Sequence, residues 1–262
     1  MTILGVALTA MLIPNLIATF DPLAASGPRL RPPSSEFLMG TDQLGRDVFS
    51  RLVYAARATV PLALSVVVAS MLVGGIIGVV AGYFGGVVDA MLMRIADMVF
   101  AFPAIILAMA VTAALGAGVT NAVIALVIVS WPAYARLGRS LVMSARNSDY
   151  VKASRLLGRS NLTIIRTDLI PLVASQLVVF AAIEVATAIL LLAGLSFLGL
   201  GVQPPTPEWG SMVADGFANF DSWWIALFPG LAIFLTVVAW NLLGDEVRGH
   251  IDRRDSQIGI NP

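Results

Sequence analysis

The 262-residue chain contains no cysteine, one histidine (His250) and one lysine (Lys152), and charged residues make up only 12% of it. Without cysteine there is no disulfide, no thiolate metal site and no cysteine nucleophile. A lone histidine near the C-terminus argues against a histidine-based catalytic or metal site. The pattern Gly-x-x-x-x-Gly-Lys-Ser/Thr is absent, so the chain holds no phosphate-cradling P-loop. If ATP drives this protein, hydrolysis occurs on another polypeptide. No catalytic residue, cofactor-binding residue or metal ligand is therefore expected in this chain.

Apolar residues fill the space that charge leaves. They reach 58%, whereas ordinary globular domains carry about 45–50% apolar and about 25% charged residues. That balance points to an all-α polytopic membrane protein. A helical span needs roughly 20 mostly apolar residues. Six windows meet or approach this: 2–20, 59–83, 95–116, 119–135, 172–200 and 223–244. The opening MTILGVALTAMLIPNLIATF lacks the basic start and small-residue cleavage site of a signal peptide, so 1–20 reads as a retained first span. Gly74, Gly75, Gly78 and Gly82 are small residues of the kind that let membrane helices approach closely. A Gly-rich turn at 116–120 makes spans three and four a tight hairpin. The fifth window is too long to stand upright and is expected to tilt, or to break around 194–201. Pro61, Pro103 and Pro132 fall inside spans and should kink them.

Lysine and arginine in the connections set the orientation. Between spans four and five lie Arg136, Arg139, Arg146, Lys152, Arg155, Arg159 and Arg166, whereas 201–222 has no Lys or Arg but has Glu208, Asp215 and Asp221. The first connection is thus expected in the cytoplasm and the second outside. Both termini then face the cytoplasm, in agreement with Arg248, Arg253 and Arg254. The loop 21–58 opposes this with Arg29, Arg31, Arg46, Arg51 and Arg57, partly offset by Asp21, Glu36, Asp42 and Asp47. The expected layout is a first helix at 1–20, an external loop at 21–58 and a core at 59–262. Within the core lie a cytoplasmic loop at 136–171, an external loop at 201–222 and a cytoplasmic tail at 245–262.

Residues 149–171, DYVKASRLLGRSNLTIIRTDLIP, form a polar, Arg-rich insertion in a membrane-like chain. Ser148 and Asp149 suit an N-cap, and Tyr150, Val151, Ala153, Leu156 and Leu157 follow the spacing of a short amphipathic helix. Gly158 supplies a stop. A second helical run at 162–169 is expected to end ahead of Pro171, which opens span five. Such a helix can insert into a groove on a soluble partner and pass the partner's motion to the spans. It can equally be an interfacial helix anchored to lipid headgroups.

This segment resembles the cytoplasmic "EAA" loop of ABC-importer permeases. Lys152, Ala153, Ser154, Gly158 and Leu169-Ile170-Pro171 stand at the motif's positions, with Lys152 where the family has Glu. GTDQLGRD at 40–47 followed by VFSRLVYAAR, LSFLGLGVQPPTPEWGSM at 195–212 and NLLGDEVRGHIDRR at 241–254 resemble the dipeptide/oligopeptide (and nickel) permeases of the second-permease type. The resemblance runs from about residue 40 to the end. Leu192 stands where relatives commonly carry Glu, and Asp252-Arg253-Arg254 replaces a usual Asp-Pro-Arg.

The resemblance implies a six-span, type I ABC-importer permease. It implies a second, homologous permease, two ATP-binding cassette subunits carrying ATP and Mg, and an external substrate-binding protein. Residues of the coupling helix would be Tyr150, Val151, Lys152, Ala153, Ser154, Leu157 and Gly158, with Pro171 closing the motif. Lys152 reverses the charge that would pair with a basic group of the ATPase. The substrate class is short peptides, with nickel chelates and glutathione as alternatives, and many relatives carry an N-terminal cytoplasmic segment before the first span. A proton-driven secondary transporter using Glu184 is the rival reading, and it predicts inverted repeats. An intramembrane enzyme lacks a catalytic constellation.

Two further groups are candidates. Glu184 lies well inside span five, where a charge costs on the order of 2.5–3.5 kcal/mol, so it either faces the translocation path or is protonated or bonded between helices. Gly40, Asp42, Gly45, Arg46 and Asp47 form either an external lid or receptor-facing surface, or a turn leading into an interfacial helix. Arg94 and Asp97 read as an interfacial pair, with Asp89 of similar standing. Trp209, Trp223 and Trp224 read as headgroup-level anchors beside the stiff Pro204, Pro205 and Pro207.

Overall fold

The computed structural model describes residues 14–257. Most of the window 2–20 and residues 258–262 lie outside the described residues, and Arg248, His250, Arg253 and Arg254 are described as backbone alone. Among the described residues the chain is helical, and its β contact is an isolated bridge between Thr41 and Asp47. A short helix α1 (Pro14–Ile17) precedes α2 (Val48–Phe84), which has 37 residues. At 1.5 Å per residue α2 is about 55 Å long against a hydrocarbon layer of about 30 Å, so it emerges on both sides. Its start is corrected from 59 to Val48 because Asp47 caps it, accepting from the Ser50 backbone N–H at 2.8 Å and the Ser50 hydroxyl at 2.6 Å.

The single span expected at 95–116 is two helices, α3 (Gly86–Phe100) and α4 (Ala104–Leu115), bent by 92°. Pro103 lies at the bend and opens α4, since a proline cannot donate back into a preceding turn. With 12 residues α4 is too short to cross a membrane by itself. Gly116 and Gly118, at φ 96° and 151°, turn the chain into α5 (Val119–Ala145). Next come α6 (Asp149–Leu156), α7 (Asn161–Ile164), one π turn (Ile165–Leu169) and α8 (Ile170–Phe197). A short α9 (Trp209–Ala218) and the long α10 (Trp224–Gln257) complete the chain.

Among the described residues four continuous helices are long and apolar enough to cross a membrane, and the bent pair α3–α4 brings the number to five when counted as one broken span. The sixth expected span falls largely outside the described residues. The helical run expected to stop before Pro171 instead continues through it. Pro171 has no N–H and its ring would strike the carbonyl four residues back. The preceding turn widens, and the Ile170 N–H reaches Ile165 O, five residues away, so helix continues on both sides. At its far end α8 runs unbroken past Gly194 and stops at Phe197, with Gly199 at φ 76° in the following turn.

Glycines set the packing of α2 on α5. A Cβ on Gly74 would strike Trp131 O, one on Gly78 would fall 2.5 Å from Ala135 O, and one on Gly82 2.8 Å from Arg139 O. Both sets advance four residues at a time in the same direction, so the two helices run parallel with their backbones in contact. Helix α8 crosses this pair, with Leu177 over Gly75 and Phe180 edge-on to Tyr134 at 5.1 Å. Helix α3 is tied to α5 by two ion pairs. Arg139 donates from Nε and Nη2 to the two carboxylate oxygens of Asp89, and Arg136 binds Asp97 at 2.6 Å while lying 4.2 Å from the Phe100 ring. The expected Arg94–Asp97 pair is thus replaced by partners on α5, which face Asp97 across the helix contact rather than along one helix.

Replacing Gly78 by Leu should therefore lower the thermal midpoint of the detergent-purified protein by several degrees, since overpacking costs about 1–3 kcal/mol. Gly230→Ala, with no neighbour within 4 Å of the added carbon, should leave it unchanged.

Candidate partner-facing site

The Arg-rich segment leaves the bundle at the C-terminal ends of α2 and α5. Ser148 precedes α6 in extended conformation, and its hydroxyl donates to Ala145 O at 2.6 Å. Asp149 lies in the first turn and Arg155 in the last, both matching the helix dipole. Gly158, at φ 73°, reverses the chain, as its position in the sequence anticipates. Of the residues of α6, Val151 and Ser154 are buried. Leu156 and Leu157 are 88% and 79% exposed, and Tyr150, Lys152, Ala153 and Gly158 are also exposed. The amphipathic spacing is real, but much of its apolar side faces away from the bundle. Lys152 donates to Asp149 at 3.1 Å on the surface, and Pro171 is exposed at the start of α8.

Val151, Ile164 and Leu169 are buried in the main core, and a few polar contacts add to them. The Tyr83 hydroxyl, at the end of α2, donates to Asn161 Oδ1 at 2.7 Å, and the Arg155 guanidinium lies 5.7 Å from the Tyr83 ring centre. Asp168, in the π turn, accepts from the Thr167 hydroxyl at 2.8 Å and pairs with Arg159 at 3.5 Å. Arg146 donates to Gly82 O at 3.0 Å.

Glu184 sits midway along α8, half buried and one turn beyond Phe180. Among the described residues no hydrogen bond or ion pair to it is present, and the nearby Tyr134 hydroxyl is buried without a partner.

At the opposite end a polar cap closes the bundle. Gly40 and Gly45, at φ 74° and 77°, fold 40–47 into a turn. Asp42 accepts from the Leu44 and Arg46 backbone N–H groups and from Arg46 Nε at 2.6 Å, with Arg51 Nε at 3.6 Å. Asp42 and Arg46 are only 2% and 6% exposed, and Gly40, Gly45 and Asp47 are buried. These groups hold the cap together and present no receptor-facing surface; the turn leads into the span α2 rather than into an interfacial helix. Trp224 donates to Thr41 O at 3.1 Å and Trp209 to Leu52 O at 3.0 Å. Both are buried, so two of the three tryptophans expected at headgroup level instead pin the cap, and only Trp223 is exposed.

Residues 74–256 match the family described as the inner membrane component of binding-protein-dependent transport systems. The chain belongs to this family of transport permeases. It is 45% identical over 85% of its length to the di/tripeptide transport permease DppC of Pseudomonas aeruginosa, covering 76% of that protein. It is 40% identical to the probable D,D-dipeptide permease DdpC of Escherichia coli, over 95% of this chain and 85% of the relative. The glutathione transport permease GsiD of Pectobacterium atrosepticum is 42% identical over 84% of this chain and 73% of its own. A chain of the MetNI methionine ABC transporter, solved facing inward, superposes with a TM-score of 0.57 at 20% identity, over 72% of this chain and 93% of that one.

The permease thus has the type I ABC-importer fold and is a multi-pass inner-membrane protein that works with ATPase and permease subunits. Its structure brings Val151, Ser154, Arg155 and Gly158 together with three residues that the sequence did not single out: Tyr83, Asn161 and Asp168. Their partners lie on other elements, so no local spacing marks them. Glu208 also gained its role only in three dimensions. It is fully buried, caps α9 by accepting from Ser211 N at 3.0 Å, and accepts from Thr59 Oγ1 on α2 at 3.1 Å. Burial raises its pKa above 4.5, against hydrogen bonds from Gly210, Ser211, Ser196 and Thr59 that lower it. Burial likewise raises that of Asp215 on α9, against a hydrogen bond from Gln43 and the charges of Arg51 and Arg46.

A raised carboxyl stabilises the fold in its protonated form; this contribution is complete below 4.5, the ordinary value, and is lost as pH rises through the folded value. Glu208→Gln, always neutral, should gain in thermal midpoint relative to the native permease as pH rises from about 4.5 towards 8. Glu208→Ala should lose about 1–3 kcal/mol at every pH, because the α9 cap and the bond to Thr59 disappear.

Proposed function

We propose that this permease is one half of the translocation path of an ATP-driven importer of short peptides, with α6 as its coupling helix. The observation that carries the coupling assignment is the outward-turned surface of α6, where Leu156, Leu157 and Tyr150 stand exposed on a helix anchored at both ends. Charged residues of both signs at that end of the bundle suit a soluble partner better than a bare hydrocarbon surface. The relatives named for di/tripeptide and D,D-dipeptide transport support a peptide substrate. The relative named for glutathione, itself a short peptide derivative, keeps that alternative within the same chemistry.

In this reading the other half of the path is a second, homologous permease, and two ATP-binding cassette subunits bind beneath α6 and its counterpart. ATP and Mg reside on those subunits, since this chain has no P-loop. An external binding protein delivers substrate at the end capped by 40–47 and α9. Orientation follows from the basic segment 136–166 and places both termini in the cytoplasm. The arginines of 21–58, which oppose that assignment by simple counting, include Arg46 and Arg51 beside Asp42 and Arg31 paired with Glu36. Closure of the ATPase dimer moves α6, and the packed spans rock between inward and outward states. Tyr150, Val151, Lys152, Ala153, Ser154, Leu157, Gly158 and Pro171 form the coupling element. Lys152 presents a positive charge to the ATPase where the family has Glu. Glu184, half buried on α8, faces the path and takes the amino terminus of the peptide.

Ala153→Glu, on the exposed side of α6 and free of backbone strain, should lower peptide uptake per ATP hydrolysed by at least about tenfold, the cost of disturbing the centre of an interface. Its amount in the membrane should stay the same; unchanged uptake would sink the coupling assignment. Glu184→Gln should lower uptake of peptides with a free amino terminus by about tenfold or more, the worth of a charge-assisted bond, with N-acetylated peptides unaffected. Equal uptake of both kinds in native and variant transporters removes Glu184 from the path.

A further inference from the structure

We propose that Tyr83 is the positioning residue through which the coupling segment moves α2, and with it α5. The inference rests on the coupling reading above and names a contact within it. Helix α6 is joined to the bundle by its covalent ends, by Val151 buried in the core and by a small set of polar side chains, so a push on its exposed face leaves through these. Towards α2 the polar contact is Tyr83. Its hydroxyl donates to Asn161 Oδ1 at 2.7 Å, on the turn after α6, and its ring lies 5.7 Å from the guanidinium carbon of Arg155, in the last turn of α6. One buried side chain therefore touches the segment on both sides of the reversal at Gly158.

What lies behind Tyr83 makes the contact mechanically useful. Tyr83 follows Gly82, whose close approach to Arg139 O and Val142 belongs to the backbone contact between α2 and α5. A displacement delivered there meets no flexible side-chain layer, and close-packed interiors pass strain on rather than absorb it. Arg146 donating to Gly82 O at 3.0 Å closes the same joint from the α5 side. The π turn before α8 is a second attachment of the segment, through the buried Leu169.

The test uses the assembled transporter, this chain with its ATPase and permease partners and binding protein, in proteoliposomes with a radiolabelled dipeptide. Tyr83→Phe removes only the hydroxyl, and Asn161→Ala removes only its acceptor. Each should lower uptake per ATP hydrolysed about fivefold, the worth of one hydrogen bond, at native complex yield and native thermal midpoint. The double variant should be no worse than either single, because both remove the same bond. Unchanged uptake per ATP in both singles overturns the proposal. So do additive losses, and so does a fall in uptake that merely tracks yield and midpoint, which marks a structural role alone. Ala153→Glu in the same assay separates the two levels: if it uncouples while Tyr83→Phe does not, only the Tyr83 assignment falls. If Ala153→Glu leaves coupling intact, the coupling reading falls and this proposal with it.

Discussion

The backbone contact between α2 and α5 at Gly74, Gly78 and Gly82 is the constraint on which the rest of the bundle depends. In a membrane, helices gain nothing by hiding apolar surface from one another, because lipid is as apolar as they are; close van der Waals approach has to hold them. Three glycines facing three carbonyls provide that approach, and they fix register as well as distance. Once the pair is set, α8 lies across it through Leu177 and Phe180, and α3 is drawn onto α5 by Arg136 and Arg139. The largest core cluster follows this arrangement, combining Tyr83, Tyr134, Val142, Val151, Leu169 and Ile189 from α2, α5, α6, the π turn and α8.

The two ends of this rigid pair are built differently. At one end a buried polar cap, with Asp42 between Arg46 and Arg51 and with Glu208 bonded to α2, closes the bundle through many mutual hydrogen bonds. Breaking one member of such a cluster leaves the others buried and unpaired, which makes it stiff. At the other end the segment 149–169 anchors Val151, Ile164 and Leu169 in the core but keeps Leu156 and Leu157 in the open.

Much of the architecture was legible in the chain because it depends on local pattern. Apolar windows, the glycine run, the turn at 116–120 and the amphipathic spacing of 150–157 ending at Gly158 are all readable from neighbours in sequence. What was not legible depends on partners far away. Trp209 and Trp224 look like interfacial anchors until Leu52 and Thr41 supply acceptors for them. Asp97 looks like a partner for Arg94 until α5 brings Arg136 closer. Tyr83 and Asn161 carry no motif at all, and they meet only because α2 ends where the segment turns. The bend at Pro103 and the π turn before Pro171 were also missed, because proline announces a disturbance without saying which compensation the backbone will choose. For the site itself, the sequence marks the segment, whereas the direction of its exposed leucines follows from packing.

The parallel course of α2 and α5 carries an electrostatic consequence. Each helix ends with about half a negative charge on its free carbonyls, and two such ends lie side by side where antiparallel neighbours would have cancelled. The start of the antiparallel α8 offsets one of them and leaves the other. Arginine meets that remainder directly, since Arg146 donates to Gly82 O, a carbonyl of the last turn of α2. One arginine of the basic stretch 136–166 thus serves the folded protein as counter-charge for a helix pair whose dipoles point the same way.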